Sequence, residues 1–160
     1  MAALASIDKA LPILPVREAL PIRRFEIADL ARHGGWLMDR LLKALPHLTN
    51  RELQGWLRGI IYSNEFLFLY QDHSVALAQV LRNMTMTPKP VIYERFVFAE
   101  DKENAEHVEQ AGEFYAEFER WAKSQSVETI LVEELTDVSH DAIKKRLGRL
   151  FTRQQVFARV

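Results

Sequence analysis

The sequence predicts a mixed α/β (α+β) domain in which one sheet of about six strands is flanked by about four helices. The chain has 160 residues, of which 48% are hydrophobic and 27% charged, a composition typical of a globular protein with one buried core. Apolar residues recur with a period of two in some segments and of about 3.6 in others, as in strands and helices. The resulting element order is β, α, α, β, β, β, α, β, α, β.

Charge and composition exclude several classes of protein. The 21 basic and 22 acidic residues give a net charge of −1, so we do not expect nucleic acid as a partner. No apolar run approaches the roughly 20 residues of a membrane span, and the N-terminus lacks the pattern of a secretory signal peptide. Cysteine is absent, which excludes disulfides and thiolate nucleophiles. We therefore expect a protein that is not secreted through a signal peptide, has no membrane partner and is compatible with the cytoplasm.

Residues 1–21 predict an extended arm in front of a single domain over residues 22–160. Pro12, Pro15 and Pro21 prevent a regular helix there. The arm is too apolar for a solvated tail, so we expect it to dock on its own domain or on a partner chain, which includes a second copy; a frayed tail is the alternative. The residues expected to make this protein contact are Leu11, Pro12, Ile13, Leu14, Pro15 and Val16.

The first half of the domain begins with an alternating segment, residues 22–27, that predicts an edge strand. A helix is predicted over residues 35–45, where Pro46 ends it, and a second helix begins at a cap formed by Thr49 or Asn50. The apolar stripe of the second helix is Leu53, Leu57, Ile60 and Ile61. Gly55 and Gly59 lie four residues apart on it, which predicts a close backbone contact, with local flexibility as the alternative.

The second half begins with two β-prone runs, residues 66–70 and 75–81, which predict a hairpin closed by a turn over residues 71–74. A loop over residues 83–90 leads to a strand over 91–99. A long amphipathic helix follows over residues 103–123. Its apolar stripe is Val108, Ala111, Phe114, Tyr115, Phe118, Trp121 and Ala122. A short strand over 129–132, a helix from Ser139 or His140 to about Gly148 and a last strand over 154–160 complete the chain.

This element order resembles the GNAT acyltransferase superfamily, and local sequences agree with it. The matching segments are Ile22-Arg23 followed by Asp29, the run Phe118-Glu119-Arg120-Trp121-Ala122-Lys123, the strand Ile130-Leu131-Val132, and residues 144–151 around Gly148. The resemblance covers residues 22–160. It implies a twisted, mostly antiparallel mixed sheet.

The resemblance also implies where coenzyme A would bind. In GNAT enzymes, a loop with Gln or Arg, two residues, Gly, one residue, and Gly or Ala presents backbone N–H groups to the pyrophosphate. Aligning the long helix on Trp121 places Glu106, Glu109 and Ala111 at these positions, within a stretch of eight acidic residues from Glu100 to Glu119. Such carboxylates repel a pyrophosphate, although they are also ordinary on an exposed helix face. We therefore expect no cofactor, with acetyl-CoA as the alternative.

The candidate catalytic groups are few. Glu94 shares the predicted strand face of Ile92, Phe96 and Phe98, so it is the candidate base if the protein is an enzyme; a structural carboxylate paired with an arginine is the alternative. The tyrosine acid that the resemblance implies before Gly148 is absent from residues 142–147. The five histidines show no HxxxH or HExxH spacing, which predicts no metal site.

Two functions follow from the resemblance. The first is a non-catalytic structural or interaction module on a GNAT-like fold, because the cofactor loop and the tyrosine are not recognisable. Degenerate GNAT-like proteins of short-tailed bacteriophages resemble this chain, so this function implies a virion or assembly component, located in the virion or the cytoplasm. The alternative is a divergent acyl-CoA-dependent N-acetyltransferase.

Overall fold

The computed structural model describes residues 20–82 and 89–131. Its strands are β1 (Arg23–Arg24), β2 (Phe66–Gln71), β3 (Ser74–Leu81), β4 (Val91–Ala99) and β5 (Ile130–Leu131), and its helices are α1 (Ile27–Ala44), α2 (Asn50–Ile61) and α3 (Ala105–Ser124). The strands lie in the sheet in chain order, antiparallel except for the parallel pair β4 and β5. The predicted mixed, mostly antiparallel fold class is confirmed.

Helix α1 begins at Ile27, eight residues before the predicted start, so that prediction is wrong. The backbone N–H of Glu26 donates to the Asp29 carboxylate at 2.8 Å, which caps the helix start. Gly34 and Gly35 lie inside the helix, where an added Cβ would meet nothing within 4 Å. Because the helix starts so early, the edge strand predicted over residues 22–27 is reduced to Arg23–Arg24.

Helix α2 and the strands of the hairpin confirm their predictions. Thr49 caps α2, since its hydroxyl accepts from the Glu52 N–H at 3.3 Å, and the predicted stripe residues Leu53, Leu57 and Ile60 are buried. The close contact expected at Gly55 and Gly59 is wrong, because an added Cβ at either glycine would meet nothing within 4 Å.

The sheet has two distinctive backbone features. At the turn between β2 and β3, Asp72 and His73 have φ values of 36° and 63°, as in the type I′ turns that suit two-residue hairpins. In the ladder between β3 and β4, Leu77 pairs with Phe96 and Ala78 with Glu94, so Arg95 is an extra residue on β4. This residue forms a β-bulge, which bends the strand.

Each face of the sheet packs against its own helices. On one face, α3 forms a core with side chains from β2, β3 and β4; this α3 face includes Leu67, Ala76, Ala78, Ile92, Val97, Phe114, Tyr115 and Phe118. On the other face, α1 and α2 cover aromatic side chains of the same strands; this α1/α2 face includes Phe68, Leu77, Phe96, Phe98, Leu37, Leu41, Leu53 and Leu57. The functional residues are positioned by these two faces.

Some predicted segments lie outside the described residues: most of the N-terminal arm, most of the loop over 83–90, and the last helix and strand. The six residues expected to contact a partner, Leu11 to Val16, are among them, so that prediction and the division at residue 21 remain predictions. The described part begins at Leu20, whose carbonyl accepts from Gln71 Nε2 at 2.9 Å. Within the described residues, no helix has the length and apolar character needed to cross a membrane.

Candidate active site

The bulge at Arg95 decides which face each β4 side chain occupies. Glu94 pairs with Ala78 and Phe96 with Leu77, and those β3 partners lie on opposite faces of the sheet. Glu94 is therefore fully buried on the α3 face, apart from Phe96 and Phe98. The expectation that Glu94 shares a face with both phenylalanines is wrong, because the extra residue reverses the alternation after it.

The same bulge places Arg95 beside a cavity on the α1/α2 face. The cavity has a volume of about 290 Å³ and lies between the end of α1, the start of α2 and the middle of β4. Its walls are apolar, and its polar groups come from three side chains. The lining residues are Leu41, Leu45, His47, Leu48, Glu52, Trp56, Arg95 and Phe96. An apolar pocket with a few convergent polar groups is the usual form of a small-molecule site.

The polar groups of this cavity differ in charge. Hydrogen bonds from the Thr49 backbone N–H and then from its hydroxyl, each 2.8 Å long, hold the pKa of Glu52 below its ordinary value. Glu52 is therefore an anion at neutral pH. Arg95 adds a permanent cation, whose guanidinium carbon lies 5.0 Å from the centre of the Tyr93 ring. The cavity thus offers an anion, a cation and the imidazole of His47.

The pairing of β4 also changes near the bulge. Among the described residues, β4 pairs with β5 through Ile92 with Ile130 and Tyr93 with Leu131. Beyond Tyr93, the described partner of β4 is β3 alone.

The first turn of α3 is where the resemblance would place coenzyme A, although the sequence predicts that no cofactor binds there. Asn104 caps this helix, and its side-chain oxygen accepts from the backbone N–H groups of Glu106 and His107 at 3.0 and 3.4 Å. The Val108 N–H bonds to the Asn104 carbonyl at 3.0 Å. Since these donors are already engaged and Glu103 and Glu106 are exposed beside them, the turn does not fit a pyrophosphate.

The three aligned positions lie on α3 itself, beyond the loop over residues 100–104. Glu106 and Glu109 are on its exposed side, and Ala111 is fully buried against the sheet. A loop that binds a phosphate needs backbone N–H groups that have no other hydrogen-bond acceptor, whereas these residues lie within the helix. Aligning the sequence on Trp121 therefore places Glu106, Glu109 and Ala111 at the cofactor-loop positions, but in the structure these residues are helical.

Sequence reasoning did not single out Arg95, His47 or Glu52. The spacing of Thr49 and Glu52 is a capping-box signal that fixes Glu52 at the start of α2. No signal in the sequence marks the bulge that turns Arg95 toward the cavity. The structure also gathers His33, His73 and Glu100, whose ligand atoms lie within 4.8 Å of one another although the residues are far apart in the chain.

Comparison with known proteins by sequence finds neither a matching family model nor a matching curated protein. Comparison with solved structures finds clear matches. The aminoglycoside acetyltransferase AAC(6′)-Iy, solved with the bisubstrate analogue CoA-S-monomethyl-acetylneamine, matches with a TM-score of 0.61 at 14% identity, over 88% of this chain and 97% of that one.

Two further structures agree with this match. The 6′-N-acetyltransferase AAC(6′)-Ih from Acinetobacter baumannii has a TM-score of 0.57 at 17% identity and covers 88% of this chain and 95% of its own. The acetyltransferase meta-AAC0020 from an uncultured soil metagenomic sample, solved with trehalose, has a TM-score of 0.54 at 14% identity, over 88% and 93% of the two chains.

These neighbours correct the functional interpretation of the sequence. The expected non-catalytic bacteriophage component is contradicted, because the similar structures are those of acetyltransferases. At these identities the likeness establishes architecture: the chain has the GNAT fold.

Proposed function

We propose that this chain is a divergent acyl-CoA-dependent N-acyltransferase whose acceptor amine enters the cavity beside Arg95. The observation that carries this proposal is the position of the cavity, which adjoins the bulge of β4 on a GNAT fold. Bulges are frequent next to active sites because they redirect a side chain out of the ladder. The neighbour solved with a CoA-linked acetylneamine supports the same reaction type.

The reaction transfers an acyl group from a thioester to an amine. The amine nitrogen attacks the carbonyl carbon, a C–N bond forms, the C–S bond breaks and the thiolate leaves. The ammonium group loses two protons: one leaves before the attack and passes through the base to solvent, and the other leaves the nitrogen after the attack and protonates the thiolate. The protein must therefore deprotonate an ammonium group, hold it near the thioester and stabilise the negative charge that develops on the carbonyl oxygen.

The cavity supplies one group for each of these tasks. The Glu52 carboxylate attracts a protonated amine, but its lowered pKa makes it a weak proton acceptor. An imidazole accepts protons near neutral pH, so His47 is the base in this proposal. The Arg95 guanidinium is the cation nearest the bulge and is assigned to the developing oxyanion. Buried Glu94, on the other face, has no direct part in this scheme.

We do not place the acyl donor at the position that the resemblance implies. Because the capped, acidic turn of α3 does not fit a pyrophosphate, no step is assigned to it. We place the thioester arm beside the bulge of β4, where its carbonyl carbon can face the amine in the cavity. This assignment implies that acyl-CoA binds weakly. Its phosphates should contribute less to the binding affinity than they do when a helix N-terminus holds them.

The lining of the cavity also indicates the acceptor. In its described part, Glu52 is the carboxylate, while Trp56, Phe96 and Leu48 form apolar walls. One anion and an apolar wall suit an amine with a hydrophobic or aromatic body. A polycationic amino sugar needs several carboxylates, so we expect this chain to prefer arylalkylamines over aminoglycosides.

Release of free thiol from acetyl-CoA, measured with a panel of arylalkylamines and aminoglycosides, tests this proposal. We expect turnover with an arylalkylamine, and we expect Arg95→Ala to lower kcat/KM by about 10²- to 10³-fold, the usual loss for one oxyanion donor. Glu52→Gln keeps an acceptor for Thr49 but removes the charge, so its effect should appear mainly in KM.

Arg51→Ala is the matched control, because Arg51 is an exposed arginine of α2 outside the cavity lining. It should leave turnover unchanged. Absence of thiol release with every amine, in folded protein at millimolar acetyl-CoA, contradicts the proposal. Equal losses in Arg95→Ala and Arg51→Ala would show that the cavity is not the site of reaction.

A further inference from the structure

Three side chains of kinds that can bind a metal ion come from separate parts of the chain and meet at one end of the sheet. His33 comes from α1, His73 from the turn between β2 and β3, and Glu100 from the residue after β4. One ligand atom from each lies within 4.8 Å of the other two, and Nδ1 of His73 is 2.5 Å from Oε2 of Glu100. Ligands around tetrahedral zinc are about 3.3 Å apart, given Zn–N distances of 2.0–2.1 Å. Small side-chain movements therefore suffice to enclose an ion.

The backbone around this cluster is fixed by other contacts. The Glu100 N–H donates to the His73 carbonyl at 2.8 Å, and Arg40 donates to the Glu100 carbonyl at 2.8 Å. The His33 ring stacks on Tyr70 with centroids 4.7 Å apart. The three side chains thus lie on elements that are already held together, which would lower the entropy lost if they bound an ion.

His73 occupies a position that glycine would normally favour. It is the second residue of the two-residue turn, and its φ of 63° is unfavourable for a side chain with a Cβ. The neighbouring side chains add a further histidine. The His107 ring packs against His73 with centroids 5.9 Å apart, and its buried Nδ1 has no hydrogen-bond partner among the described residues.

We propose that His33, His73 and Glu100 form a binding site for a divalent zinc ion. Two imidazoles and one carboxylate are a zinc ligand set that leaves a fourth position for water. The ion would also offset the carboxylates of Glu100, Asp101 and Glu103. Hard ions such as Mg²⁺ prefer all-oxygen sites and should bind poorly.

The first experiment titrates zinc into the full-length, tag-free protein after treatment with a chelator. Calorimetry should give one ion per chain, and zinc should raise Tm because it binds the folded protein preferentially. Cobalt should give the intense visible absorption of a tetrahedral site. Magnesium at the same concentration should change neither Tm nor the calorimetric signal.

His73→Gly separates loss of the site from loss of the fold. Glycine suits the positive φ, so the metal-free variant should be at least as stable as the wild type. Its zinc affinity should fall by more than 100-fold, since changes to mere supporting partners of zinc ligands already cost about 10- to 100-fold. His33→Gln should reduce affinity similarly. His47→Ala, which removes an exposed histidine elsewhere, should retain full zinc binding.

His107→Phe keeps the ring packing and tests the fourth histidine. A loss as large as that of His73→Gly would make His107 a ligand in place of the water, whereas a small change supports the three-residue site. Zinc binding below one ion per chain, or equal binding by the wild type and His73→Gly, overturns the proposal. These readouts need no acyl donor, so they stand or fall independently of the proposed reaction.

Discussion

The two faces of the sheet are built in opposite ways. On the α3 face, large aromatic residues of the helix, such as Phe114 and Phe118, pack against the small Ala76 and Ala78 of the strand. On the α1/α2 face the strands contribute the buried aromatic residues Phe68, Phe96 and Phe98, and leucines of the helices pack against them. The two cavities described for this chain, about 290 and 540 Å³, both border α1 and α2.

We therefore expect the α3 face to contribute mainly to stability and the α1/α2 face to carry the binding sites. Substitutions of the fully buried residues on the α3 face should act mainly on the stability of the fold. The face that carries the cavities also carries the bulged Arg95 and the end of the sheet at which His33 and His73 meet. Substitutions there should change binding more than stability. The following predictions test this separation, in order of decreasing effect on the free energy of unfolding.

Phe118→Ala should have the largest effect. Phe118 is fully buried on the α3 face, so its truncation should lower the free energy of unfolding by about 3 to 5 kcal/mol. Trp56→Ala removes a larger side chain that is half-buried beside the cavity, and it should cost less. Urea denaturation of both variants measures the difference. If both variants lose the same free energy of unfolding, the two faces contribute equally to stability and the contrast between them is wrong.

Asp29→Asn should have an intermediate effect. The Asp29 carboxylate is buried and accepts two hydrogen bonds from Arg23, at 2.7 and 2.8 Å, besides capping α1. Since Arg23 is half-exposed, we expect a loss of about 1 to 2 kcal/mol at neutral pH. Glu128→Gln, at an exposed ion pair with Lys89, is the control and should change stability by less than about 0.5 kcal/mol.

The effect of Asp29→Asn should also depend on pH. Hydrogen bonds from Arg23 lower the pKa of Asp29 in the folded protein, against the opposing effect of burial. The carboxylate therefore stabilises the fold fully above its ordinary value of 3.8, and this contribution declines as the pH falls through the lower folded pKa. The stability difference between wild type and variant should shrink in acid; a difference that grows instead would show that Arg23 is not the dominant partner.

Gly59→Ala should have the smallest effect, and in the opposite direction. Gly59 lies inside α2, and an added Cβ would meet nothing within 4 Å. Alanine should therefore stabilise the helix by about 0.5 to 1 kcal/mol, because glycine loses more backbone entropy on folding. Thermal denaturation measures the gain. Destabilisation would mean that a close contact, as the sequence spacing suggested, exists after all.

Much of the fold could be predicted because its signals are local. The strand over residues 91–99 and the helix capped by Thr49 are each specified by a short apolar pattern with a clear boundary. The start of α1 could not be predicted in the same way. The helix start depends on the Asp29 carboxylate, which accepts a hydrogen bond from the backbone N–H of Glu26. Gly34 and Gly35 suggested a helix boundary, but α1 continues through both residues.

The candidate site was less predictable because it depends on distant pairings. Arg95 lies beside the cavity because it is the one extra residue in the pairing of β4 with β3. No local sequence pattern distinguishes such a bulge from a regularly alternating strand. His33, His73 and Glu100 have no recognisable spacing in the chain, since they come from a helix, a turn and a strand end. Only the assembled sheet brings such groups together.

The chain order of the sheet has a consequence for how the protein folds. Strands β2, β3 and β4 pair with their neighbours in sequence, so the centre of the sheet forms from contacts of low sequence separation. Strand β1, in contrast, pairs with β2 although α1 and α2 lie between the two strands in the sequence. Such long-range closure is slow. The meander should therefore act as the folding nucleus, and amide protons of β3 should exchange with solvent last, while those of the two-residue strand β1 exchange early through local opening.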